Sequence, residues 1–184
     1  EKGMGGARMS GIAGRAGVNK AMLHYYFDSK KKLYESVVRE VIEDAVLLPV
    51  QLSPKKPFMD NLKRFIDIHM DFVRENREIF SFIFWDFRSG DDIDRSTLSE
   101  ILREKTEEPR NAIYSLIEKA ISGGEIRDID PDNLIISILS LNVFVFIGET
   151  FIKNFMNLSE EEFSEKVEER KEENFRLIWN HVKK

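Results

Sequence analysis

Lys20, Ala21, His24 and Tyr25 fall on one face when the sequence is read at helical spacing, with Asn19 just ahead of them. An ammonium, an imidazole and a phenol on one exposed face are groups that hydrogen-bond base edges, and small Ala21 lets the helix come close to them. Lys30, Lys31 and Lys32 follow, and Arg8 precedes; such cations neutralise phosphates. The lysine run sits directly after Ser29, a good N-cap, so it fills the first turn of a helix. Cations there oppose the helix dipole until an anion joins them. Without that neighbouring face the run would be a solvated cluster.

Catalytic chemistry finds less support. The three histidines are scattered: His24 on the polar face, His69 and His181 without a partner at ligand spacing. No Gly-x-Ser-x-Gly, Walker or His-Glu-x-x-His pattern occurs, and Ser29-x-x-Lys32 lacks its companion motifs. Asp91, Asp92 and Asp94 could ligate a divalent metal in an all-helical enzyme, but an acidic cluster of this kind reads first as a solvated turn. With no cysteine, disulfides and thiolate metal sites are excluded. The expectation is a non-enzyme with no cofactor and no metal.

The fourteen phenylalanines lie mostly after Pro57. Phe65, Phe72, Phe80, Phe84, Trp85, Phe144 and Phe146 could line a cavity for a small apolar or aromatic effector, with His69, Asn142 and Glu149 as its polar contacts. Plain core packing would use the same aromatic residues.

These groups need elements to hold them. Apolar residues recur at helical spacing nearly throughout, which predicts an all-α fold without strands. Ala13 and Ala16 allow a close helix crossing, Gly17 supplies a left-handed turn, and Asn19 caps the next helix. Ile12, Val18 and Leu23 pin the pair together. This is the pattern of a helix-turn-helix DNA reader. Further helices are expected over about 30–48, 58–75, 77–87, 96–122 and 131–156, and from Ser159 onward. Pro49, Pro54 and Pro57 mark a loop, and Ser89 to Asp92 mark an interruption. Gly123-Gly124 ends the longest helix, which carries Pro109, and Ser159 with Glu162 forms a capping box. The helix after Pro131 is apolar nearly all round, so burial on more than one side is expected. The last helix carries Phe163, Val167, Phe175, Ile178, Trp179 and Val182 as a stripe that either a dimer or the chain's own core could use.

The set Ile12-Ala13, Ala16-Gly17-Val18, Leu23, Tyr26-Phe27, Ser29-Lys30 and Leu33 resembles the signature of the tetracycline-repressor (TetR) family. Family members often carry threonine where this chain has Ala7 and Arg8, tyrosine where it has His24, and acidic residues where it has Lys31 and Lys32. The resemblance implies a helix-turn-helix domain over 1–32, then a larger helical effector-binding and dimerisation domain over 33–184. It also implies a ligand-responsive regulator, a repressor released from a palindromic double-stranded DNA operator, and a homodimer through the last two helices. Such domains have a further helix before the motif, so a preceding helix is expected to be absent from this sequence. A ligand-binding dimer that no longer reads DNA is the rival reading.

Charge agrees with a polyanionic partner. Residues 1–40 hold eight Lys or Arg against four Asp or Glu, a net +4, while the remaining twenty basic and twenty-nine acidic residues leave −9. A basic end on an acidic body orients the molecule toward DNA. The longest apolar run, 134–147, is interrupted by polar residues and shorter than a bilayer span of about 20 residues, so a cytoplasmic chain without membrane contact is expected.

Overall fold

The computed structural model describes residues 6–46, 51–89 and 92–184, with the side chains at 45, 46, 82, 85–89, 92–95, 97 and 98 left undescribed. Its helices are α1 (Met9–Ala16), α2 (Lys20–Phe27), α3 (Lys30–Val46), α4 (Phe58–Glu75), α5 (Arg77–Ser89), α6 (Asp92–Ser122), α7 (Pro131–Ile147), α8 (Glu149–Met156) and α9 (Glu160–Val182). Among the described residues the sole extended pairing is an isolated antiparallel bridge between Ile126 and Lys183. No single described helix is long and apolar enough to cross a membrane. Contacts divide the chain into one unit of Glu1–Asp44 with Glu78–Thr106 and another of Ala45–Arg77 with Glu107–Lys184.

In the first unit, Met9, Ala13 and Leu23 form a small buried cluster, with Ile12, Val18, Phe27 and Leu33 packed against it. Ala13 is the close-packing alanine at the crossing; Ala16 is exposed and does not share that role. Tyr26, whose position in the motif suggests an inward ring, is 70% exposed. Along α3, Tyr34, Val38, Val41 and Ile42 are buried at helical spacing. The same helix is joined to α6 by Arg39–Glu104 at 3.1 Å and Glu43–Lys105 at 2.8 Å.

In the second unit, α4, α7 and α9 pack on one another. Leu62, Ile66, Met70 and Val73 of α4 meet a core that includes Leu134, Ile138 and Phe146 of α7 and Phe163, Val167, Ile178 and Val182 of α9. The α9 stripe is thus used within the chain. The α4 start has no side-chain cap of its own; the Glu125 carboxylate accepts the Phe58 N–H at 2.6 Å instead. Ser159 and Glu162 form the expected capping box on α9.

Two expectations are corrected here. The helix from Pro131 does not run to Met156: it breaks at Gly148, and α8 departs from α7 at 73°. A Cβ at Gly148 would lie 3.0 Å from the Phe144 carbonyl and 3.2 Å from its ring, so the bend depends on the missing side chain. Nor is α7 buried on several sides within the chain. Leu134, Ile138, Asn142, Val145 and Phe146 face inward, while Ile136 and Phe144 are each 59% exposed.

Candidate functional site

The α1–α2 turn follows from three adjacent residues. Gly17 takes φ 67°, ψ 22°, a left-handed conformation that L side chains rarely adopt. Its amide and that of Val18 bond back to Gly14 and Ala13 carbonyls. Asn19 then stands outside the helix and its Oδ1 accepts the Ala21 N–H at 2.9 Å, capping α2. With Leu23 buried beneath, Lys20, Ala21, His24 and Tyr25 are all exposed, Tyr25 by 84%. Tyr25 and Tyr26 make an edge-to-face pair with ring centroids 5.3 Å apart, which stiffens the outer surface of a short helix. Arg8 is exposed at the start of α1.

At the next corner, Ser29 Oγ accepts the Lys32 N–H at 3.2 Å and so caps α3 as expected. The lysines that follow are held by the chain. Lys30 Nζ donates to the Ala7 carbonyl at 3.3 Å, Lys31 lies 3.7 Å from Glu35, and Lys32 lies 2.9 Å from Asp28. The Lys32 hydrogen bond, reinforced by its charge, holds the Asp28 carboxyl below its ordinary range, and Asp28 in turn raises Lys32.

The residues expected to meet an effector divide between the units. Phe80 and Phe84 belong to the first, and the Trp85 side chain lies outside the described residues. Phe65, His69, Phe72, Asn142, Phe146 and Glu149 belong to the second. There the sequence reading missed a partner. Asn142 Nδ2 lies 3.2 Å from His69 Nδ1, and Asn142 Oδ1 accepts from Asn174 Nδ2 at 3.0 Å. Since an amide nitrogen can only donate, His69 Nδ1 is the acceptor and Nε2 carries the proton. Phe65 stacks on the imidazole at 5.5 Å, and burial pushes the His69 pKa down to about 4, keeping the ring neutral. Asn174 Oδ1 has no hydrogen-bond partner among the described residues. The signal in the sequence for Asn174 is only that one polar residue interrupts the apolar stripe of the last helix; its partners lie on other helices. Glu149 stands apart from this trio, its carboxylate bound to Lys153 at 3.0 Å and near Arg77 at 3.7 Å.

Among the described residues no three His, Asp or Glu converge as metal ligands. Asp91 and the side chains of Asp92 and Asp94 lie outside the described residues.

A capped helix projecting polar and aromatic groups beyond a glycine turn is the arrangement of a helix-turn-helix protein. Residues 1–37 match the family described as bacterial regulatory proteins, tetR family. Over that segment the chain is similar to the tetR family. It is 28% identical to the HTH-type transcriptional regulator RutR of Escherichia coli K12 over 142 residues, covering 74% of this chain but only 62% of RutR. The HTH-type transcriptional repressor SCO4008 of Streptomyces coelicolor is 28% identical over 85 residues, 46% of this chain and 41% of that protein. Among solved structures, a Clostridium perfringens protein named as a fatty acid metabolism regulator superposes with TM-score 0.71 at 21% identity, covering 97% of this chain and 90% of the other. The tetR family regulator PfmR of Thermus thermophilus gives 0.65 at 17%, covering 95% and 91%. The flavonoid-responsive regulator FrrA gives 0.51 at 19%, covering 99% and 89%. At these identities the structural likeness is one of fold.

Proposed function

We propose that the chain is a DNA-binding transcriptional regulator, a repressor that leaves a palindromic operator when a small apolar or aromatic effector binds. The observation that carries this reading is the α1–Gly17–α2 unit, which buries Leu23 and presents Lys20, Ala21, His24 and Tyr25 outward. Lys20, His24 and Tyr25 contact the duplex, Asn19 and Ala21 approach the bases, and Arg8 with Lys30, Lys31 and Lys32 holds phosphates. The exposed Ile136, Leu139, Phe144 and Ile147 of α7, with Leu177 of α9, support pairing of two chains through the last two long helices. A two-fold dimer would read two half-sites. The buried His69–Asn142–Asn174 set and the aromatic residues near it supply a polar point in an apolar setting for the effector. One neighbour of the same fold is named as flavonoid-responsive. The effector acts by population shift, favouring a conformation with lower operator affinity.

The test is selection of bound fragments from genomic DNA with the full chain, followed by footprinting of the recovered sequence. Recovery of a sequence with two-fold symmetry, protected by the wild type and not by a Lys20→Ala, His24→Ala double variant, is the expected result. Failure to enrich any sequence from a folded, dimeric protein would favour the ligand-binding dimer that no longer reads DNA.

A further inference from the structure

The corner between α2 and α3 carries one residue whose chemistry opposes DNA binding. Asp28 sits at φ 59°, ψ −47°, a positive φ that few non-glycine residues adopt. It is clasped to α2 from both sides: its N–H donates to the His24 carbonyl at 2.9 Å, and its own carbonyl lies 3.3 Å from His24 Nδ1. The clasp aims the carboxylate across Ser29 at Lys32 Nζ, 2.9 Å away. Both partners are exposed, with side chains 77% and 62% accessible. An anion hydrogen-bonded to a lysine beside the start of a helix is the arrangement a phosphate would make there.

We propose that Asp28 is a positioning residue that stands in for a DNA phosphate in the free protein, so a duplex must displace its carboxylate to engage Lys32. The inference rests on the DNA-binding reading above. Its consequence is a lower affinity for duplex of any sequence. Contacts to phosphate carry no sequence information, so holding back one lysine weakens binding to every sequence alike. Contacts from α2 to base edges are untouched by the exchange. The carboxylate freed on binding also takes up a cation, which cancels part of the counterion release that Lys32 would otherwise provide.

Asparagine tolerates a positive φ, so Asp28→Asn removes the charge and keeps the corner. Affinity of the full chain for a mixed-sequence duplex of about thirty base pairs is measured between about 50 and about 200 mM salt. Asp28→Asn is expected to bind about two- to fivefold more tightly at the low end, the range an exposed ion pair can supply. Its log–log salt slope is expected to steepen by up to about one unit. Asp28→Gly, which also relieves the backbone, is expected to match it. In a Lys32→Gln background the Asp28→Asn gain is expected to vanish. An equal gain with and without Lys32 overturns the proposal, because Asp28 would then act only as a distant negative charge. A gain in Asp28→Gly without one in Asp28→Asn overturns it in favour of backbone strain. Wild type that binds duplex, with Asp28→Asn unchanged, sinks this inference alone. A folded wild-type chain that retains no duplex at any salt sinks the DNA-binding reading and takes the inference with it.

Discussion

The α1–α3 head and the α4–α7–α9 core solve opposite problems with similar residues. The head keeps Asn19, Lys20 and His24 outside; its α1–α2 pair rests on a cluster of three buried residues, Met9, Ala13 and Leu23, while α3 buries Tyr34, Val38, Val41 and Ile42. The core takes His69, Asn142 and Asn174 inside, each from a different helix, and surrounds them with Ile66, Met70 and Ile138. Polar groups at a surface are available to a partner but add little cohesion. Polar groups in an interior must find each other, and so fix how the helices register. The difference teaches that the α1–α2 pair is held mainly by turn and cap chemistry, and the core by packing plus a three-residue hydrogen-bond chain.

The largest effect should come from the core. Ile66 is fully buried, so Ile66→Ala should cost about 2–5 kcal/mol, read as a lowered urea midpoint with the slope unchanged. A cost under about 1 kcal/mol would mean that α4 is far less tightly packed than the contrast with the head requires.

Next comes pH. The folded His69 pKa of about 4 lies below its ordinary 6.5, so between these values the unfolded chain binds the extra proton. The contribution is fully present above about pH 6.5 and is lost as pH falls toward about 4. The difference corresponds to about 3 kcal/mol. Wild type should therefore lose more stability than His69→Asn across that window in parallel denaturation series. Parallel curves would show that the imidazole is hydrated rather than buried.

A smaller loss is expected in the head. Asn19→Ala removes the α2 cap and should cost about 1 kcal/mol, measured by hydrogen exchange at α2 amides, with the core amides unaffected. Smallest in stability terms is Lys31→Ala, whose carboxylate partner Glu35 stands 3.7 Å away on the surface. It should leave the melting temperature unchanged and reduce the duplex-binding salt slope by about one unit. An unchanged slope would remove Lys31 from the phosphate contacts.

How much was legible in the sequence divides along the same line. The Gly17 turn, the Asn19 and Ser29 caps and the outward face of α2 are local consequences of residue type within one or two turns, and they were readable in advance. Asn174 was not, because its role depends on His69 and Asn142, which lie on other helices far away along the chain. The break at Gly148 was missed for a related reason. One glycine costs a helix only about 1 kcal/mol, and apolar spacing continues on both sides of it. The close approach of Phe144, a fact of three-dimensional packing, decides the bend. Tyr26 shows the limit in the head: α2 has eight residues and a small supporting cluster, too little surface to cover every aromatic ring.

The bridge between Ile126 and Lys183 has a practical side. The Arg127 N–H donates to the Val182 carbonyl at 2.8 Å, and both Ile126 and Val182 are fully enclosed. The final residues of this sequence thus act as a latch on the α6–α7 connection. Loss of the segment from Val182 onward would uncover Ile126 and loosen a junction far upstream.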